Sequence, residues 1–408
     1  MTPTKDNIKY STIAPKDGNV DKVFKSKILK PFDNITIDFI SELSNKILKN
    51  NNLKRFPELV SMAFWMRKSH ILSLKKEFFN KKKDRVWLAR GTAFHVAPSN
   101  VDTIFIYSWF LSFLVGNKNI IRVSQTNNEQ LDILLDLINK QASENKFKQI
   151  KDRFFIMTYE HNNEITEFFS KNCDIRVIWG GDTTINKIRS IAIKPTAIEL
   201  SFADKFSIAI INSKKVLNKL DSNDPLFKNF YNDSFWFDQQ ACSSPKLVCW
   251  VGNDSDIVKA KKVFWNGVSK IYEEKFDEFS STRAVDKMVA TYSLAIEKDN
   301  ILIDKNPLIQ TVQLDNHQSI ARELHCGAGL FYELKLKSLN QLNKFIIKKD
   351  QTIGIYGFDK ETVVKFISDN LPQGIDRIVS IGKMMDFSYV WDGHDLLREF
   401  CREINIDL

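Results

Sequence analysis

Between residues 86 and 179 the chain alternates short apolar runs with helical patterns, and this alternation restricts the fold more than any other feature of the sequence. The runs at 86–89, 93–97, 119–123, 154–157 and 175–179 read as strands. The stretches 103–115, 129–139 and 163–171 read as the helices between them. Strands joined through helices require right-handed crossovers and a parallel sheet covered on both faces. Ligands of such sheets sit beyond the carboxyl ends of the strands, where Asn100, Arg122 and Gly180 all fall. The segment 103–115, TIFIYSWFLSFLV, is too short to cross a bilayer, which takes about 20 apolar residues, so it is expected to be a buried helix.

A chain of 408 residues exceeds what one hydrophobic core usually supports, so two domains are expected. Residues 1–204 read as a helical N-terminal region followed by a doubly wound dinucleotide-binding domain. Residues 205–372 read as a second α/β domain, and 373–408 as a segment returning to the first. With 43% hydrophobic residues and 31 Phe, the composition is that of a packed globular chain. The net charge of +9 is spread over the whole sequence with no nucleic-acid-binding motif, which argues against a nucleic-acid partner while favouring polyanionic ligands. The N-terminus lacks an apolar signal-peptide core, so a cytoplasmic location is expected. Five scattered cysteines with no CxxC pair support neither a disulfide framework nor a zinc site, and no metal is expected.

Three places carry candidate chemistry. Cys242 lies in 230–252, FYNDSFWFDQQACSSPKLVCWVG, on a polar turn leading into the apolar run 245–251. A thiol held there by a strand can face a substrate as a nucleophile, or it can be one more small buried side chain. The second place, 179–188, joins a strand end to two glycines and a helix start: Gly180, Gly181 and Thr183 leave backbone N–H groups and the positive end of a helix dipole facing outward, as a pyrophosphate requires. Arg122, ending a neighbouring strand, can pair with a ribose phosphate or with a surface carboxylate. The third is Glu199, within the apolar sequence Ala-Ile-Glu-Leu: a carboxylate there is either protonated, which suits proton transfer, or held in a salt bridge. Asn100 offers an amide donor on a strand-to-helix turn, where helix capping is its default role.

The segments FHVAPSNVDTIF (94–105), GNKNIIRVS (116–124), VIWGGDTTINKIR (177–189), FYNDSFWFDQQACSSPKLVCW (230–250) and 374–399 resemble, in order, those of the aldehyde dehydrogenase superfamily. Within it they resemble the fatty acyl-CoA reductases of bacterial bioluminescence systems, the LuxC type. The resemblance implies an aldehyde-dehydrogenase-like fold with Cys242 as the nucleophile. Asn100 becomes the side-chain half of an oxyanion hole, with the Cys242 backbone N–H as its other half. Arg122 and Ser124 fall where the superfamily contacts the adenosine ribose, Gly180 and Gly181 at its pyrophosphate turn, and Glu199 at its mobile glutamate. Ser201 and Phe202 depart from the glycines usual after that glutamate, and the glutamate that holds the nicotinamide ribose has no assigned position near 323–329.

The activity implied is NADPH-dependent reduction of an acyl-CoA or acyl-protein thioester to an aldehyde through an acyl-cysteine. An acyl-protein synthetase partner and a homo-oligomer are expected with it. Two rivals remain: aldehyde oxidation on the same framework with Glu199 activating water, and a non-catalytic subunit that binds a partner.

Overall fold

The computed structural model describes residues 9–80, 85–97, 104–124, 128–160, 162–218, 224–275, 281–299, 301–304, 306, 308–315 and 320–408. The chain forms two compact units, one of residues 1–204 with 387–408 and one of residues 205–386. Strands of the first unit are β1 (Ser11–Ala14), β2 (Arg85–Ala89), β3 (Thr92–Val96), β4 (Lys118–Arg122), β5 (Phe154–Thr158), β6 (Ile175–Trp179) and β7 (Ile198–Phe202). The second unit holds β8 (Phe206–Asn212), β9 (Pro245–Val251), β10 (Leu302–Ile303), β11 (Gln310–Gln313), β12 (Leu330–Leu336), β13 (Asp350–Tyr356) and β14 (Arg377–Ser380). The returning segment adds β15 (Val390–Trp391), β16 (His394–Asp395) and β17 (Cys401–Asn405) to the first.

The first sheet has the order β1-β5-β4-β3-β6-β7. β3, β5 and β6 are buried along their whole length, as the mostly apolar strands of a parallel sheet with both faces covered are, with His95 and Arg176 among the buried polar exceptions. The chain moves from β3 through β4 to β5 on one side and then restarts with β6 on the other, so strand order reverses at β3. A doubly wound sheet opens its ligand crevice at that reversal. One face is filled by helix Ile104–Leu114, whose Trp109, Phe110 and Phe113 are fully buried and which is, as expected, a core helix. Helix Asn34–Lys49 packs Phe39 edge-on against Phe113 and Phe147. Each such side chain contributes about 1.5–3 kcal/mol by leaving water.

The second sheet, ordered β10-β11-β12-β9-β8-β13-β14, is parallel except for β10 at its edge. Two expectations are corrected. The return to the first unit begins at Phe387, not at 373, because β14 still pairs in parallel with β13 of the second sheet. The run at 86–89 is a strand, but β2 pairs antiparallel with β17 in a separate ribbon and does not join the parallel sheet.

Candidate active site

In the first unit a cavity of about 560 Å³ opens where β3, β4, β5 and β6 end, and Arg122, Ser124, Gly180, Gly181 and Thr183 all line it. The turn at its floor is built by β6, whose Trp179 stacks on Phe202 at 4.1 Å while Gly180 N–H donates to the Phe202 carbonyl (3.2 Å). Gly181 caps helix Asp182–Arg189 with no side-chain hydrogen bond to the first turn. A Cβ at Gly181 would come within 3.0 Å of an Asp204 carboxylate oxygen, and one at Gly180 within 3.3 Å of Thr184. Small residues thus keep the backbone open to a ligand beside uncapped helix N–H groups.

Arg122 lies over the Tyr159 ring at 5.5 Å and donates to the Tyr159 carbonyl at 3.3 Å. Burial pushes the guanidinium pKa down from its usual value. No carboxylate among the described residues pairs with it. The cavity wall therefore carries Arg122 and Lys187 against a single acid, Asp204, a balance suited to phosphates. Tyr159 and Lys187 are contributions that pattern reading missed. Tyr159 follows directly on the buried run of β5, and that position was the available signal.

Glu199 is not part of this cavity. It lies on β7 directly opposite Arg176 of β6. Arg176 Nε donates to its carboxylate at 2.6 Å, and Arg189 Nε reaches the other oxygen at 3.0 Å. The buried Arg176 is itself fixed by Ser170 Oγ and the Ile191 carbonyl. The salt-bridged alternative for Glu199 is the arrangement found, and a mobile carboxyl is not: a carboxylate on a covered sheet face needs opposite charge beside it, and two guanidinium groups supply it. Asn100 lies outside the described residues.

Cys242 belongs to the second unit, on the turn between helix Pro225–Phe235 and β9. The turn is reached through two residues with left-handed backbone, Asp238 (φ 52°) and Gln239 (φ 60°). Gln239 is fully buried and makes three bonds: its Nε2 donates to the carbonyls of Pro245 (2.9 Å) and Leu330 (3.0 Å), and its Oε1 accepts from Gly329 N–H (2.8 Å). Gln240 Nε2 donates to the Cys326 carbonyl (3.0 Å). Ser207 Oγ, on β8, donates to the Cys242 carbonyl at 2.7 Å. Lys246 Nζ donates to the Ala241 carbonyl at 3.3 Å. The turn is therefore tied to β8 and β9 through its backbone carbonyls and to β12 through the Gln239 side chain, and Cys242 is half-buried.

Three of the other thiols are more deeply buried, and Cys326 is half-buried like Cys242. Cys173, Cys249 and Cys401 are buried, and burial pushes the pKa of Cys173 and of Cys401 up to about 12 and that of Cys249 higher still. Cys326 is pushed up to about 11, also chiefly by burial. The opposing segment is held by His325, whose Nε2 donates to the Leu330 carbonyl (2.9 Å) while Nδ1 accepts from Gly327 N–H (3.1 Å). Burial lowers its pKa to about 3, so it is a neutral structural imidazole. No His/Cys/Asp/Glu cluster able to hold a metal occurs among the described residues.

Residues 45–264, more than half of the chain and including Arg122, the Gly180–Gly181 turn and Cys242, match the profile of the acyl-CoA reductase (LuxC) family. The chain belongs to the LuxC family. Among curated relatives, the long-chain acyl-protein thioester reductase of Photobacterium phosphoreum is 23% identical over 327 residues, covering 77% of this chain and 62% of the relative. Long-chain acyl-protein thioester reductase 2 of Photobacterium leiognathi is also 23% identical, over 333 residues, covering 78% of this chain and 64% of the relative. This LuxC-family chain thus spans a little under two thirds of the length of those proteins. Among solved structures, a putative aldehyde dehydrogenase from Burkholderia cenocepacia superposes with a TM-score of 0.66 at 12% identity, covering 97% of this chain and 90% of the other. The fold is that of aldehyde dehydrogenases. No helix among the described residues is long and apolar enough to cross a membrane.

Proposed function

We propose that this LuxC-family chain reduces an acyl thioester to an aldehyde, with Cys242 carrying the acyl group and NADPH as the reductant. The observation that carries the proposal is the placement of Cys242 as a half-buried thiol on a turn whose backbone is fixed by Ser207, Gln239 and Gln240, in a family of acyl-CoA reductases. A fixed backbone with a reachable sulfur is what nucleophilic catalysis asks of a cysteine.

In this reading the Cys242 thiolate attacks the thioester carbonyl, and the charge that gathers on its oxygen is held by the Cys242 backbone N–H and the Asn100 amide. Collapse expels the donor thiol and leaves an acyl-cysteine. The cationic cavity of Arg122 and Lys187, with Ser124 and the Gly180–Gly181–Thr183 turn, fits the phosphates of a dinucleotide. When bound there, the nicotinamide dinucleotide supplies the hydride that the acyl group needs to leave as an aldehyde. Arg122 and Lys187 together favour the additional phosphate of NADPH. The donor thioester is acyl-CoA or an acyl-protein, the latter in line with the names of the two curated relatives.

The pairing of Glu199 with Arg176 and Arg189 also favours reduction over aldehyde oxidation. A carboxylate engaged on both oxygens is poorly placed to activate water, and an acyl-cysteine that meets no activated water survives until hydride arrives. The test is steady-state kinetics with purified protein and a series of acyl-CoA thioesters. NADPH consumption with aldehyde formation is expected. Absence of consumption at every chain length, together with NAD(P) reduction by aldehydes, would overturn the reductive reading.

A further inference from the structure

The loop that follows β14 in the second unit, residues 381–386, is held from both sides. The Asp233 carboxylate, on helix Pro225–Phe235, accepts from Gly382 N–H and, at 3.1 Å, from Met384 N–H. Arg377, on β14, donates to the carbonyls of Lys383 (2.5 Å), Met384 (2.9 Å) and Asp386 (2.8 Å). Gly382 turns through the left-handed region (φ 98°), and a Cβ there would come within 2.6 Å of the Asn229 side chain, so only glycine fits. The two methionines of the loop face opposite ways. Met384 is fully buried in the space that Gly354 of β13 leaves open. Met385 is half-buried, and its Sδ lies 3.9 Å from the hydroxyls of both Ser243 and Ser244. Those serines follow Cys242 directly. Ser244 N–H donates to the Ala241 carbonyl at 3.0 Å, which closes a turn with Cys242 and Ser243 at its centre.

We infer that Met385 sizes the acyl site at Cys242, leaving room for an acyl group that is straight beside its carbonyl and none for one branched there. The inference rests on the reading of Cys242 as the acyl carrier. Consecutive Cα atoms are about 3.8 Å apart, so a sulfur in contact with Ser243 and Ser244 is within reach of the first carbons of an acyl group on Cys242 and not of its far end. A thioether is an apolar, polarisable surface that packs well along a straight hydrocarbon chain. A methyl branch needs the wall to retreat, and this wall is held. The sulfur accepts weakly from two hydroxyls, and the main chain around it is bonded at the Met384 N–H and at the Met384 and Asp386 carbonyls. Asp233 and Arg377 are therefore positioning residues. The helix that carries Asp233 also leads into the Cys242 turn, so the wall and the nucleophile are fixed to the same element.

The test compares hexanoyl-CoA and octanoyl-CoA with their α-methyl-branched isomers by steady-state NADPH oxidation. Wild type is expected to prefer the straight isomer by about 10-fold or more in kcat/KM, the scale on which an apolar pocket rejects one methyl too many. Met385→Ala should bring the two isomers to within about threefold by raising the branched one, and Met385→Leu, of similar volume, should keep the wild-type ratio. Asp233→Asn has one acceptor oxygen for two N–H groups, so it should relax the ratio in the same direction and add nothing further in the double variant with Met385→Ala. A role for Asp233 in stability alone would lower the melting temperature and leave the ratio untouched. A second measurement reads the wall without the reductase reaction: alkylation of the Cys242 peptide by bromoacetamide and by its α-methyl analogue, followed by mass spectrometry. Met385→Ala should speed the branched reagent by about 10-fold over wild type and leave the small one within about twofold. A wild type that reduces both isomers equally, or a Met385→Ala variant that changes neither the isomer ratio nor the branched alkylation, would overturn the inference. A wild type that reduces no thioester while its alkylation stays size-selective would overturn the proposed function and uphold the wall.

Discussion

At the scale of single residues the account turns on which groups are held and which are left to react. Cys242 and Cys326 are half-buried, and of the two Cys242 lies on the turn whose main chain is fixed by Ser207, whereas Cys173, Cys249 and Cys401 are closed off by burial. Cys242→Ser is expected to lower thioester reduction by roughly a thousandfold or more while leaving thermal unfolding unchanged, since a serine hydroxyl is a far weaker nucleophile without an adjacent base. NADPH oxidation and a melting curve on the same sample check both halves. Arg122→Ala should raise KM for NADPH about 10-fold or more with little change for NADH, as expected for losing a charge-assisted contact to one phosphate. Equal effects on the two coenzymes would place Arg122 elsewhere on the dinucleotide. Asp233 accepts from Gly382 N–H and, at 3.1 Å, from Met384 N–H, and burial raises its pKa to about 7. A carboxyl with a folded pKa above its unfolded one takes up protons on folding, so stability falls as pH rises between about 4 and 7, by on the order of 4 kcal/mol at most. Asp233→Asn removes that slope. From pH 5 to pH 8 the melting temperature of the wild type should fall relative to that of the variant, and a wild type that gains on the variant over that range would contradict the assignment.

At the scale of elements the Cys242 turn depends on a buried amide. Gln239→Leu removes the side-chain donor to the Pro245 carbonyl, one of two donors to the Leu330 carbonyl and the acceptor for Gly329 N–H, so a loss of about 1–3 kcal/mol in urea unfolding is expected. How much of this could be read from the sequence follows from the kind of signal each element sends. β3, β5 and β6 were legible because a parallel strand covered on both faces is a short, mostly apolar run, which a single His95 or Arg176 does not hide. The glycine turn after β6 was legible because two glycines between an apolar run and a helix start mark a strand-to-helix turn. Strand partners were not legible: 86–89 has strand composition, but nothing local states that it pairs with residues 401–405, three hundred positions away. The apolar spacing of 339–348 reads equally well as an α-helix, but the chain there forms a 3-10 helix over Leu339–Lys344, since short apolar periodicity does not distinguish the two. Glu199 was ambiguous for a related reason. Its apolar neighbours announce burial, while its partners Arg176 and Arg189 lie 23 and 10 positions upstream and become neighbours only when β6 and β7 pair. Gln239 gave no signal of its own, because a glutamine beside a glutamine looks like a solvated loop until its three backbone partners are in place.

At the scale of the whole molecule, the chain leaves its first unit at residue 204 and returns to it at residue 387. The returning segment buries Trp391, Leu396, Leu397, Phe400 and Cys401 in the first core and pairs β17 with β2. At about 1.5–3 kcal/mol for each large side chain, removing residues 387–408 costs about as much as a typical domain's entire stability margin. A chain ending at Asp386 should therefore show the first unit cut readily by protease, and protection equal to the full chain would contradict the assignment of this segment. The central claim, that one sulfur carries the acyl group between donor and hydride, is tested most directly by intact-mass spectrometry after mixing the protein with acyl-CoA in the absence of NADPH. The account predicts a single acyl adduct on the peptide containing Cys242, absent in Cys242→Ser and discharged as aldehyde when NADPH is added. An adduct on another residue, or aldehyde formed by a protein that never acquires one, would contradict it.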